Sequence, residues 1–323
     1  MVECGSQTCD PVRMPAIGER AFTRMLARFF AAPSTVRVPI GDDAAVVRNP
    51  ARESVLCCDP VIEGVHFDAD TDRALVGRKV VNRNLADLAA MGAVADWLLV
   101  SLVLPHGFPM ADLMRLMRGI RAAARAAGCS VVGGDIASSN GPLVVTVTAV
   151  GHCRGRVLQR NAAREGDAIH VTAPLGGSRL LHHLRFIPPL AEGQWLARAK
   201  VPVRAAMDIS DGLLLDLQTM LTASGLHGAE LVVAALPVSR AAKQLSCGEP
   251  ARAVQHALQD GEDHALLFTV EKGRRLPAGG PLTKAARRPI GRILATKGLW
   301  LVHPDGGRER VAAQGWEHGI ASG

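Results

Sequence analysis

The sequence predicts an α/β protein with mixed sheets, of the α+β kind, in two domains. Three observations lead there. Its 323 residues suffice for two cores. Helical and strand patterns are interspersed throughout, yet at least two neighbouring strands in the first half have no helix between them, which argues against a simple doubly wound sheet. An Arg- and Gly-rich stretch without strong periodicity, residues 151–167, separates two patterned halves. The expected division is a polar N-terminal stretch at 1–17, a first domain at 18–152 and a second α/β domain at 153–323.

The elements follow in order. Residues 18–30 carry Phe22, Met25, Leu26 and Phe29 on one helical face. Residues 36–47 read as strand, turn and strand around Gly41-Asp42-Asp43. Residues 54–58 form a short apolar strand with Asp59 at its exit. Residues 73–91 are a helix closed by Gly92, with Asn84 and Asp87 on one face. A strand at 97–104, a helix at 109–127 ending at Gly128, a strand at 129–132 ending in Gly133-Gly134-Asp135 and a strand at 143–150 complete the first half. In the second half, residues 168–172, 231–236 and 265–270 read as strands. Residues 211–221 and 253–258 read as helices, Pro174–Arg185 as a turn and helix, and the tail as two further short strands.

Composition narrows the function. Hydrophobic residues make up 48% and charged residues 21%, the profile of a globular chain. The seven cysteines are scattered without any C-x-x-C pair, so the expectation is reduced thiols in the cytoplasm rather than a zinc ribbon or redox motif. The net charge of +7 comes from dispersed arginines, and aromatic residues are only 3% with no tyrosine. That pattern lacks the basic stripe and stacking rings of a nucleic-acid surface, and suits attraction of small phosphorylated anions. No apolar run reaches membrane-spanning length, so neither nucleic acid nor membrane is expected as a partner.

The chemistry lies in recurrent carboxylates. Asp43, Asp59, Asp87, Asp135, Asp208 and Asp211 each follow an apolar stretch, sit beside glycine or occupy a helix face. Separately, such residues also serve as turn formers and caps. Together they outline an oxygen-rich site for hard divalent cations and, through them, phosphate. The sequence has no P-loop, protein-kinase signature, dinucleotide fingerprint, HExxH or GxSxG. His182 and His183 read as core or surface residues rather than ligands.

The strings themselves carry a resemblance. GDDAAV at 41–46, DPVIEGVHF at 59–67, NLADLAAMGA at 84–93, GGD at 133–135, DISDGL at 208–213, GED at 261–263, IGRI at 290–293 and GWEH at 315–318 resemble the thiamine-monophosphate kinase family, in that family's order and over nearly the whole chain. The resemblance implies a homodimer whose N-terminal strands pair across a two-fold axis, and ATP- and magnesium-dependent phosphorylation of thiamine monophosphate by direct transfer. It implies Asp43, Asp59, Asp87, Asp135, Asp208 and Asp211 as magnesium ligands, and Gly134, Arg160 and Ser210 as ATP contacts. His66, Glu262 and Trp316 are implied on the acceptor side. Departures from the family pattern are Cys58 in place of a hydroxyl residue, Ala86 in place of Ser, the stretch 136–142 without its Arg, Asp260 in place of Gly and Leu190 in place of Arg. Two further readings stay open beside the kinase. One is a related enzyme acting on another small acceptor, and the other a nucleotide-binding protein of weak activity.

Overall fold

The computed structural model describes residues 25–26, 28–30, 33–38, 46–47 and 53–316. Residues 25–26 and 28–29 are helical. Strands β1 (Val36–Val38) and β2 (Val46–Val47) pair antiparallel. The turn expected at Gly41-Asp42-Asp43, and with it Asp43, falls outside the described residues.

The first half is a four-stranded sheet in the order β3-β6-β4-β5, built from β3 (Val55–Ile62), β4 (Ala93–Pro105), β5 (Ser130–Ser139) and β6 (Val144–Cys153). Two 18-residue helices, α1 (Arg73–Ala90) and α2 (Met110–Ala127), cover one face. Alternation along the strands decides which side chains meet them: Val61, Val145, Val147 and Leu98 turn inward and are fully buried. The helices cross so closely that a Cβ on Gly119 would stand 2.1 Å from the Ala74 carbonyl oxygen, which excludes any larger residue there. Asp72 caps α1 by accepting from the Ala74 and Leu75 N–H groups. The opposite sheet face leaves Leu56 65% and Leu99 40% exposed.

The second half is a seven-stranded mixed sheet in the order β13-β12-β9-β11-β7-β10-β8, comprising β7 (Ala168–Val171), β8 (Val203–Asp208), β9 (Gly228–Val232), β10 (Leu266–Val270), β11 (Gly291–Leu294), β12 (Gly298–Val302) and β13 (Arg308–Val311). Its neighbours all pair antiparallel except β12 with β9. Helices α3 (Leu190–Leu196), α4 (Leu213–Ala223), α5 (Arg240–Leu245) and α6 (Pro250–Gln259) accompany it. A shared core joins the halves: Ala89 and Ala90 at the end of α1 pack with Trp195, Leu196, Val203 and Phe268. Among the described residues no helix is long and apolar enough to cross a membrane.

Several sequence expectations change. Asp59 lies inside β3, not at its exit, because Pro60 is accommodated on the edge strand. Gly133-Gly134-Asp135 likewise lies within β5, where the chain passes so near β4 that a Cβ on Gly134 would meet the Val100 carbonyl oxygen at 1.9 Å. The expected strand at 231–236 ends at Val232 and tightens into a 3-10 turn, Val233–Ala235. The tail holds three strands rather than two, since β12 and β13 form a hairpin.

Candidate functional site

Helix α1 is the spine of the site. Lys79, Arg83 and Asp87 recur every four residues and so form one stripe along it. Asn84, fully buried beside them, fastens β3 to the helix: its Oδ1 accepts from the Asp59 N–H at 2.9 Å, and its Nδ2 donates to the Asp59 and Val80 carbonyls at 3.2 and 2.9 Å. Arg83 Nε donates to Asp59 Oδ2 at 3.2 Å. Asp59 is thus fixed by backbone and side chain at once. The Cys57 thiol donates to the Asn84 carbonyl at 3.2 Å, and burial beside Asp87 and Asp59 pushes its pKa far up. It is an inert packing group.

The second half brings a carboxylate to the same place. Strand β8 ends at Asp208, which is buried, with His264 Nδ1 3.4 Å from its Oδ2. Burial, then the charges of Asp208 and Asp59, raise the Asp87 carboxyl to about 8. Asp211 is not the N-cap its position suggests. Gly212 takes that place at φ 112°, and Asp216 Oδ2 reaches back to accept from the N–H groups of Asp211 and Gly212 at 3.1 and 3.2 Å. Asp216 is itself raised to about 8 by burial and by Asp208 and Asp211. Five carboxylates, Asp59, Asp87, Asp208, Asp211 and Asp216, therefore load one region where α1, β3, β8 and the start of α4 meet.

A region of opposite charge adjoins it. Lys79, fully buried, donates through Nζ to the His66 carbonyl at 2.6 Å and lies 2.8 Å from His183 Nδ1 and 2.6 Å from Glu262 Oε1. His183 Nδ1 is also 3.4 Å from Glu262 Oε2. Burial alone would raise the Glu262 carboxyl, but His183 and Lys79 hold it down, to about 2. Glu262 has φ 61°, and its N–H donates to the Ser210 carbonyl at 2.7 Å. Ser210 and Glu262 thereby come together. His66 is buried, and its Nδ1 accepts from the Ile62 N–H at 3.1 Å. Trp316, with its side chain largely in solvent at 57% exposure, donates its backbone N–H to the Asp211 carbonyl at 2.9 Å.

Other expected site residues stand apart from this junction. Asp135 and Gly134 are exposed on β5, at the opposite edge of the sheet from Asp59. Asp135 shares its register position with the exposed Ser101. Arg160 is exposed and accepts at its carbonyl from Ser224 Oγ at 3.2 Å, while the preceding Gln159 carbonyl accepts from Ala206 N–H on β8. Among the described residues no three acidic, imidazole or thiol groups form a closed metal cage. The donor set at the junction is nevertheless all oxygen and all of one charge, the kind a hard cation takes. Reading the sequence alone missed Lys79, Arg83, His183 and Asp216. The available signal was the four-residue stripe and a lysine amid valines.

Comparison with known proteins places this arrangement. Residues 41–153 match the family model described as AIR synthase related protein, N-terminal domain. The first half is therefore of the AIR synthase-related class. A thiamine-monophosphate kinase of Rhodopirellula baltica is 38% identical over 298 residues, covering 88% of this chain and 92% of that one. The crystal structure of thiamine-monophosphate kinase from Stenotrophomonas maltophilia is similar with a TM-score of 0.73 at 30% identity, over 89% of this chain and 96% of that one. That of AaThiL complexed with AMPPCP and TMP gives 0.72 at 29%, over 97% and 100%. The chain belongs to the thiamine-monophosphate kinase family.

Proposed function

We propose that the protein transfers the γ-phosphoryl group of ATP to the phosphate of thiamine monophosphate, giving thiamine diphosphate in the cytoplasm. The observation carrying this is the likeness, over nearly the full length of both chains, to a protein complexed with AMPPCP and TMP. The junction of Asp59, Asp87 and Asp208 fits the reaction, since phosphoryl transfer relies on positioning and charge neutralisation. These residues, with Asp211, Asp135 and Asp43, would hold magnesium, which when bound neutralises charge on the phosphate oxygens. Gly134, Arg160 and Ser210 would contact the nucleotide. His66, Glu262 and Trp316 would hold the acceptor, with the anionic Glu262 and the exposed Trp316 ring facing a cationic, aromatic molecule. The acceptor phosphate oxygen attacks the γ-phosphorus directly, with no side chain becoming phosphorylated.

The functional unit we propose is a homodimer, with residues 18–152 as the pairing and nucleotide domain and 153–323 as the second. The uncovered sheet face around Leu56 and Leu99 supports it. Incubation with ATP, magnesium and thiamine monophosphate should yield thiamine diphosphate. ATP hydrolysis without that product would refute the acceptor. Light scattering should give twice 34.1 kDa, and the single-chain mass at micromolar concentration would refute the dimer.

A further inference from the structure

We infer that Lys79, together with His183, is a positioning residue that sets the distance between the two halves of the acceptor site. The inference rests on the reading that His66 and Glu262 face the acceptor. These two residues come from different sheets: His66 follows β3 in the first half, and Glu262 precedes β10 in the second. A site assembled from two halves has no fixed geometry unless something spans them. The Lys79 ammonium does so, contacting the His66 carbonyl at 2.6 Å on one side and Glu262 Oε1 at 2.6 Å and His183 Nδ1 at 2.8 Å on the other.

Helix packing alone does not call for a lysine here. Its neighbours Val76, Val80 and Val81 are fully buried, and an apolar side chain would fill the same space without the desolvation of a charge. The tether to the segment before Phe186 does not depend on it either. Arg78 donates to the Arg185 carbonyl at 3.2 Å and Asn82 to the Phe186 carbonyl at 2.7 Å. Phe186 also stacks on His264 at 4.3 Å between ring centroids. With those contacts docking the segment, the work left to Lys79 is orientation. It engages one oxygen of Glu262 while His183 stands by the other at 3.4 Å. The carboxylate plane is thereby fixed although Glu262 sits at φ 61°, where a glutamate gains nothing from its own backbone.

The test uses the full-length protein and four variants, Lys79→Met, Glu262→Gln, the two combined, and His183→Ala. In Lys79→Met, KM for thiamine monophosphate should rise about tenfold or more, while KM for ATP stays within about twofold. In a Glu262→Gln background the same change should add less than about a further twofold, because the two residues act through one contact. His183→Ala, at a side chain 18% exposed, should show the same split in smaller degree. Hydrogen exchange should quicken together at residues 63–67 and 260–264 in Lys79→Met, or in His183→Ala if Lys79→Met does not fold. Equal rises in both KM values, full additivity with Glu262→Gln, or unchanged exchange in both segments would overturn the positioning role. Wild-type protein that makes no thiamine diphosphate would instead refute the acceptor reading, and the exchange measurement then decides the role of Lys79 alone.

Discussion

Two stretches of the same helix face the junction in opposite electrostatic states. At Lys79 the buried ammonium has Glu262 at 2.6 Å and His183 at 2.8 Å, and the carboxylate offsets part of a burial that still lowers the lysine's pKa. At Asp87, eight residues on and roughly 12 Å along the axis, a carboxylate meets two more with Arg83 the nearby cation, and its pKa climbs to about 8. The contrast separates what the chain completes by itself from what it leaves for ligands. The side proposed for the acceptor is pre-organised by the protein's own ions, and the repulsion on the carboxylate side is relieved by protons, which Asp87 holds up to about 8, or by added cations.

Breaking the carboxylate side should produce the largest effect. Asp87→Asn keeps the shape and removes one charge, so phosphoryl transfer should fall on the order of a thousandfold. Metal-free stability at pH 8 should rise by about 1–3 kcal/mol as repulsion is relieved. Steady-state turnover and denaturant melts check both parts, and near-normal turnover would remove Asp87 from the site.

The next effect is on pH. The folded protein holds the Asp87 and Asp216 protons up to about 8, whereas the unfolded chain releases them near 3.8. Between these values the folded state binds more protons, so this contribution makes metal-free stability fall as pH rises from about 4 to about 8 and level off above. Magnesium competes with those protons. Its stabilisation, read as a shift in melting temperature, should therefore be larger at pH 8.5 than at pH 6. Equal shifts at the two pH values would mean that the metal does not bind at these groups.

Much of the first half was legible because α1 and α2 are long and periodic and end at glycines. The carboxylate side was legible too, since an aspartate among apolar residues stands out in a sequence. The Lys79 side was not. Lys79 and His183 meet across 104 positions, and nothing local in His182-His183 distinguishes a core imidazole from one set against a lysine and a glutamate. Strand β5 hid for a different reason. Glycines signal a turn, yet Gly134 is needed inside the strand because Val100 passes too close for a side chain.

A smaller effect is expected one step from the cluster. Asp216 acts through the N–H groups of Asp211 and Gly212, and an amide oxygen can accept both. Asp216→Asn should leave the melt nearly unchanged and lower turnover about three- to tenfold through looser placement of Asp211. A loss as large as that of Asp87→Asn would place Asp216 among the groups that bind metal.

The smallest effect tests where the carboxylate side ends. Cys58 precedes Asp59, but alternation along β3 turns its side chain to the exposed face, where Thr148 Oγ1 donates to its Sγ at 3.2 Å. Asp135 lies exposed on the same sheet, so that face carries an oxygen donor of its own. A thiol is a soft group that magnesium avoids, whereas a hydroxyl keeps the contact to Thr148 and adds a hard oxygen. Cys58→Thr should therefore lower the magnesium concentration for half-maximal activity by about twofold, with ATP affinity at saturating metal unchanged. Superimposable magnesium titrations would confine the cation-binding side to the face that α1 covers and leave Cys58 as sheet packing.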